Sequence, residues 1–447
     1  MRVEVVSTEE LGDRSYIAHD GEVALVVDPQ RDIDRIERRL SDLGLRCVLV
    51  AETHVHNDYV SGGLELSRRC GVPYLISAPE LVAFDRRRVA DGDELGAGRL
   101  RVKVVATPGH TDGHVSYVVD DGNGPEVVFT GGSLLFGSVG RTDLVDPRRT
   151  VELTRAQYRS TRHLAVLLAD DVAVFPTHGF GSFCSSGSTT GDPNSTVGVE
   201  RTRNDALVID NEDEFVAKLV AGLTAFPSYY AHMGPRNREG PRPVDLSSPE
   251  PTDAKELRWR IGAGQWVVDL RSRSAFAAEH IEGTIGIGMD RHFATYLGWL
   301  IPWGTPLTLI GEEIEQISAA QRQLVRIGID RPDGMVVGRP VDLGVDFQLR
   351  HYPRVTFEDL AREPTAVVLD VRRDDERRQG HISGSAHIPL HSLLEQMVEV
   401  PTGRLWVHCA SGYRASIAAS LLDRAGCDVV LIDDAFDNAK SLTDVSE

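Results

Sequence analysis

Apolar residues in the first half of the chain fall into short alternating or continuous runs, punctuated by Gly and Asp turns. SYIAHD (15–20) and VALVVD (23–28) are two such runs with Asp20-Gly21 at their junction, which predicts a hairpin. The period then changes: Ile33, Ile36 and Leu40 recur at helical spacing within 31–44, and Gly44 closes that helix. CVLVAE (47–52) reads as a buried strand that delivers THVHNDYVSGG (53–63) to its C-terminal end, where open α/β sheets place their sites. Further strands are expected in VPYLIS (72–77), LRVKVVATPG (100–109), HVSYVV (114–119) and EVVFTGG (126–132), and a helix over 152–170. DVAVFPTHGFGSF (171–183) repeats the strand-to-histidine-loop pattern, and a loop rich in Gly, Ser and Thr is expected over 181–198. The polar, Pro-rich stretch around 234–252 reads as a domain boundary.

Beyond it lies an internal repeat. WVVDLRSRSAFAAEHIEGTIGI (266–287) and PLTLIGEEIEQISAAQRQLVRIGI (306–329) share their order of strand, charged helix, Gly turn, strand, loop and helix with a second pair. That pair is AVVLDVRRDDERRQGHISGSAHIP (366–389) and RLWVHCASGYRASIAASLLDRAGC (404–427). The pattern therefore predicts an α/β multidomain protein with units at 1–240, 255–350 and 355–445.

Composition narrows the partners. Asp+Glu number 67 against 48 Lys+Arg, a formal charge of -19, and no long basic run occurs, so nucleic acid and anionic membrane surfaces are poor candidates. The first twenty residues lack the basic and apolar regions of a secretion signal, and no run is long and apolar enough to span a bilayer. Five cysteines, an odd number without CxxC, argue against a disulfide framework and for a reducing cytoplasm.

One of those cysteines stands at a turn built for chemistry. LWVH (405–408) predicts a strand and RASIAASLLDRAG (414–426) a helix, with CASGYR carrying the chain from one to the other. Backbone N–H groups converge in such a turn and the helix dipole adds positive potential, which favours a thiolate on Cys409. Ala410, Ser411, Gly412 and Tyr413 would form the cradle, Gly412 letting it curl, and Arg414 would open the helix. The rival reading makes Cys409 a small buried hydrophobe. Asp370, Arg372, Glu376 and GHISGSAHIP (380–389) make this unit resemble the rhodanese family, which implies sulfane-sulfur transfer through a Cys409 persulfide. Cysteine phosphatases resemble it less, because only four residues separate Cys409 from Arg414. The first copy also resembles rhodanese, through DLR (269–271) and EHIEGTIGI (279–287). It has Gly311 in place of the cysteine, followed by Glu312 and Glu313, so a packing role is expected for it and its WLIPW segment (299–303).

Histidines supply a second site. His54 and His56, two apart on a loop leaving a buried strand, can converge on one metal ion. Asp58 follows at the next alternate position, His110 arrives from TPGHTDGH and His178 from PTHG. This half resembles the metallo-β-lactamase superfamily, most closely its persulfide dioxygenase and glyoxalase II branches, through THVHNDY, FTGGSLLFGSVGRTD (129–143), SFCSSG (182–187) and STVGVERTRN (195–204). The resemblance implies an αββα sandwich, followed by the two rhodanese-like domains with parallel sheets. Two positions depart from it. Tyr59 replaces the histidine that serves a second metal, and Gly132 replaces the aspartate that bridges two metals or completes an iron triad with His56 and His110. The expected cofactor is thus at most one metal ion, zinc or iron, on His54, His56 and His110, with Asp58 and His178 near it. Cys184, Tyr59 and Ser133 are further pocket candidates, and an aspartate restored at 132 is expected to raise iron retention.

Three functional readings follow: a persulfide-metabolising enzyme that pairs a low-molecular-weight thiol or persulfide substrate with sulfur transfer, a mononuclear zinc thioester-type hydrolase fused to a sulfurtransferase, or a non-catalytic scaffold bearing only the Cys409 activity. A homodimer is compatible with each.

Overall fold

The computed structural model describes residues 1–124, 126–187, 194–343, 347–442 and 445–446. The chain divides into two units, one of Met1–Val244 with Val325–Gly328, the other of Asp245–Leu324 with Ile329–Glu447.

The first unit contains two six-stranded sheets. One runs in chain order through Arg2–Thr8, Asp13–His19, Val23–Val27, Arg46–Ala51, Tyr74–Ser77 and Arg87–Val89, antiparallel for its first three strands and parallel after them. The other is ordered Ser195–Thr196, Ala173–Pro176, Val127–Gly131, Val115–Asp120, Leu100–Ala106 and Glu94–Ala97. Alternation along each strand sorts the side chains onto two faces. Tyr16, Leu25, Val27, Leu49, Ala51 and Leu75 of the first sheet share one core with Val102, Val104, Tyr117, Val119 and Phe129 of the second. Their in-between neighbours Ile17, Val26 and Val50 turn the other way and pack with Ile36, Leu40, Leu64 and Leu66 from helices Asp34–Asp42 and Gly63–Cys70. On the far side, Val105, Val118 and Val128 meet Leu164 and Ala165 of helix Thr150–Leu167. The result is an αββα sandwich.

Two segments differ from the pattern-based expectation. Helix Tyr230–Glu239 runs through Pro235 and ends at Gly240 (φ 99°), so the first part of the expected boundary is helical and the unit division falls after Val244. Within STVGVERTRN, whose likeness to the family implies a strand, only Ser195–Thr196 is extended; Val197–Arg203 form a helix, capped by the Thr196 side chain accepting from Val199 N–H. The expected 181–198 loop lies outside the described residues over 188–193.

The second unit holds two all-parallel sheets of one topology. The first is ordered Ile285–Gly286, Trp266–Asp269, Leu307–Gly311, Gly334–Val337. The second is ordered Ala386–His387, Val367–Asp370, Arg404–His408, Asp428–Ile432, with Arg354–Val355 added at its edge. The repeat extends to a buried ion pair. Arg271 donates to Asp269 at 2.7 Å and to the Glu279 carbonyl at 2.8 Å, while Arg372 donates to Asp370 and the Gly380 carbonyl at the same two distances. Asp269 pairs with Ile310 and Asp370 with His408, so the next residues, Gly311 and Cys409, are structural counterparts.

Candidate functional site

The loops that follow three strands of the sandwich bring imidazoles together in its interior. His54, His56 and Asp58 follow Arg46–Ala51, His110 follows Leu100–Ala106 and His178 follows Ala173–Pro176, and all five are buried. Ring centroids are 4.0 Å apart for His54–His56, 4.7 Å for His54–His110, and 5.3 Å for both His54–His178 and His110–His178.

Buried carboxylates stand behind these rings. Asp28, at the end of strand Val23–Val27, is the one non-glycine residue described with positive φ, 50°. Its carboxylate accepts from Thr53 N–H and Thr53 Oγ1, each at 2.7 Å, and from Thr177 Oγ1, and it lies 3.3 Å from His56 Nε2. Glu52 Oε2 is 3.1 Å and Tyr59 Oη 2.9 Å from the same nitrogen. Burial alone would lower the pKa of His56, but Asp28 and Glu52 outweigh it and push it up to about 9, while Asp28, although buried, is drawn down to about 2 by His56. His178 Nδ1 lies 2.9 Å from Asp13 Oδ1 and 3.2 Å from Asp58 Oδ2. Against the opposing effect of burial, these carboxylates push His178 up to about 10. His54 and His110 have no such partner, and burial pushes both down, His110 to about 3.

Position 132 leaves no room for a side chain. A β-carbon there would meet the His110 ring at 2.4 Å, and one on Gly140 would meet His110 Nδ1 at 2.7 Å, so the imidazole is held by two glycines and by the Arg141 carbonyl, 2.7 Å from Nδ1. An aspartate at 132, expected to raise iron retention, would first require His110 to move. Tyr59 stacks on His56, and burial raises its pKa well above the ordinary tyrosine range. Ser133 Oγ is buried and makes no hydrogen bond among the described residues.

Clustered residues in this unit could hold a single metal ion. Ligand atoms of His54, His56 and His178 lie within 4.8 Å of one another, as do those of His110, His178 and Cys184. His56 Nδ1 and His110 Nε2 are buried without a hydrogen bond, as donors kept for a cation would be. Cys184 is fully buried beside Asp58, and burial raises its thiol pKa well above the usual range. Sequence reasoning missed Asp13, Asp28, Glu52 and His114. His114 Nε2 accepts from Gly132 N–H at 2.9 Å. An acid at the end of a buried apolar strand, as in VALVVD and CVLVAE, was the available signal.

In the second unit the Cys409 side chain is buried, 1% exposed, and its Sγ accepts from Gly412 N–H at 3.2 Å. Gly412 has φ 89°, and a β-carbon there would collide with Asp433. The Ala410 carbonyl accepts from Phe436 N–H, Ser411 is exposed, and Tyr413 Oη donates to the Gly288 carbonyl at 2.9 Å. Arg414 clasps Glu376 with two bonds of 2.5 and 2.6 Å, which keeps the guanidinium charged against the effect of burial.

The Gly311 loop is closed. Glu312 N–H donates to Gln316 Oε1 at 2.9 Å and Gln316 Nε2 to the Leu270 carbonyl at 2.8 Å. A β-carbon on Gly311 would stand 3.0 Å from both Gln316 and Ile317. Helix Phe293–Leu300 instead brings aromatic residues against the second copy. Tyr296 packs on Tyr413 at 5.9 Å and on Trp299 at 6.2 Å, and Trp299 stacks on His391 at 4.9 Å.

Comparison with known proteins follows the same division. Residues 12–178 match the metallo-beta-lactamase superfamily and residues 355–441 the rhodanese-like domain. The mitochondrial persulfide dioxygenase ETHE1 of Homo sapiens is 32% identical over 215 residues, 48% of this chain and 75% of its own length. Hydroxyacylglutathione hydrolase of Brucella anthropi is 34% identical over 189 residues, 41% of this chain and 68% of its own. Among solved structures, a metallo-beta-lactamase from Staphylococcus aureus subsp. aureus COL aligns with a TM-score of 0.68 at 27% identity, covering 76% of this chain and 99% of that one.

Proposed function

The chain belongs to the metallo-beta-lactamase superfamily and joins that fold to a C-terminal rhodanese-like domain, and on that premise we propose that it is an enzyme of sulfane-sulfur metabolism. The observation that carries this reading is Cys409 Sγ held at a strand-to-helix turn by the Gly412 amide, with Arg414 at the start of the helix. The thiolate attacks the outer sulfur of a thiosulfate or persulfide donor. The donor's S–S bond breaks and its electron pair leaves with the sulfite or thiolate. A thiolate or cyanide acceptor then takes the outer sulfur from the Cys409 persulfide and restores the thiolate. Residues 255–350 serve in this reading as a rhodanese-like copy without chemistry.

The N-terminal unit would act on a low-molecular-weight thiol persulfide or related thiol adduct. A zinc or iron ion held among its histidines would supply a Lewis acid there. The donors are mainly imidazoles and position 132 offers no carboxylate, which favours zinc and makes thioester hydrolysis the second reading. Joining the two activities raises the concentration of one domain's product at the other. Among the described residues no helix is long and apolar enough to cross a membrane, and a reactive thiol at Cys409 suits a reducing cytoplasm.

The test uses the purified full-length chain. Metal content, oxygen uptake with a low-molecular-weight persulfide, and sulfur transfer from thiosulfate to cyanide are measured on the parent and on Cys409→Ser. Transfer is expected to fall at least 100-fold in the serine variant, and transfer at the parent rate would refute the assignment. Iron with oxygen uptake supports persulfide oxidation in the N-terminal unit, whereas zinc without uptake supports the hydrolase. A chain that takes up neither metal is left with the sulfurtransferase alone.

A further inference from the structure

We infer that the single metal ion of the N-terminal unit is held by His54, His56 and His178, with His178 taking over the part that the family pattern assigns to His110. This rests on the reading of that unit as metal-dependent.

The one proton on Thr53 Oγ1 goes to Asp28 Oδ2 at 2.7 Å, so that oxygen can only accept from His54 Nδ1, 2.9 Å away. His54 Nε2 is then a bare lone pair. His178 Nδ1 is held by Asp13 and Asp58, which turns its Nε2 toward His54 Nε2 at 3.3 Å. Two such nitrogens share that distance only with a cation between them, either a proton or a metal ion. Zinc–nitrogen bonds of about 2.0–2.1 Å place two tetrahedral ligands about 3.3 Å apart, the separation seen here. His56 completes the set: Glu52, Asp28 and Tyr59 occupy its Nε2, and Nδ1 is buried without a partner. Each of the three imidazoles thus has one nitrogen fixed by the protein, the arrangement that orients metal-bound histidines.

His110 stands outside this set. It too has one nitrogen fixed, Nδ1 on the Arg141 carbonyl, and a free Nε2, but with the ring wedged against Gly132 and Gly140 that donor atom groups with His178 and Cys184 and not with His54 and His56. The His110 ring occupies the space beside Gly132, while His178 Nε2 stands 3.3 Å from His54 Nε2, near enough to serve as the third ligand.

The experiment loads the full-length parent, His178→Ala and His110→Ala with zinc, removes excess by dialysis, and counts bound metal. Circular dichroism checks that each variant is folded. The parent and His110→Ala are expected to keep about one zinc per chain and His178→Ala to lose it, with affinity down at least tenfold. Retention in His178→Ala with loss in His110→Ala overturns the ligand set while leaving a metal-dependent unit. An unmodified chain that binds no zinc, iron or cobalt overturns that underlying reading as well. Should His178→Ala fail to fold, the cobalt-loaded parent decides. Visible bands of a tetrahedral ion without thiolate-to-cobalt charge transfer support the three histidines. A charge-transfer band abolished by Cys184→Ser would instead place the ion on His110, His178 and Cys184.

Discussion

The His110 ring fills the space beside Gly132 that a side chain at that position would need, with Cδ2 only 2.4 Å from where a β-carbon would stand. Gly132→Asp is therefore expected to destabilise the first unit by about 1–3 kcal/mol, the usual cost of overpacking. Gly132→Ala should cost a comparable amount, because the clash begins at the β-carbon. Thermal melts followed by circular dichroism, with metal content measured in parallel, check this. An Asp variant as stable as the parent and richer in iron would show that His110 yields readily.

Asp28 links Thr53, Thr177 and His56 from a backbone position with φ 50°. Asparagine tolerates that conformation, so Asp28→Asn should keep the turn and remove only the charge. The expected result is a folded protein whose zinc affinity falls 10–100-fold, the range typical of losing a group that orients a metal ligand. Competition with a chromogenic chelator measures it, and unchanged affinity would show that the carboxylate is dispensable.

Gly311→Cys in the Cys409→Ser background should not restore sulfur transfer above 1% of the parent rate, an order-of-magnitude bound set by the closed loop and exposed Glu312 and Glu313 nearby. The Gln316 side chain occupies the loop amide that a sulfur would need. Cyanide-acceptor assays decide, and a variant working near the parent rate would mean that this copy retains its chemistry.

Burial holds the pKa of His408, the residue before Cys409, down to about 4, against ~6.5 for an exposed imidazole. Above pH ~6.5 the ring is neutral in both the folded and unfolded chain. As pH falls, the unfolded chain takes up the proton first, so stability declines until the folded ring also titrates near 4. The loss should approach 3 kcal/mol, roughly, across that window. His408 stacks on Phe436 at 5.5 Å, so His408→Phe should keep the packing and remove this part of the acid sensitivity. All five tryptophans (259, 266, 299, 303 and 406) lie in the second unit, so urea melts followed by their fluorescence at pH 7, 5.5 and 4.5 report on it. Equal pH dependence in parent and variant would contradict the assignment.

By itself the sequence determined what depends on neighbours along the chain. Period-two alternation marked strands such as Val23–Val27 and sorted their side chains onto two faces, because a strand's geometry is local. The repeat, the turn around Cys409 and the loop of His54 and His56 were legible for the same reason: each is a short motif whose shape its own residues dictate. The tertiary structure alone decided what depends on distant segments meeting. Asp13 reaches His178 across 165 positions, and Thr177 reaches Asp28 across 149, pairings that no local pattern encodes. Gly132 read as a missing ligand, and only packing revealed that His110 had taken its space. Gly311 read as a missing nucleophile, and only the fold showed Gln316 closing the loop behind it. Such replacements are set by which atoms compete for one volume in the folded chain, a competition that begins only when the chain has closed on itself.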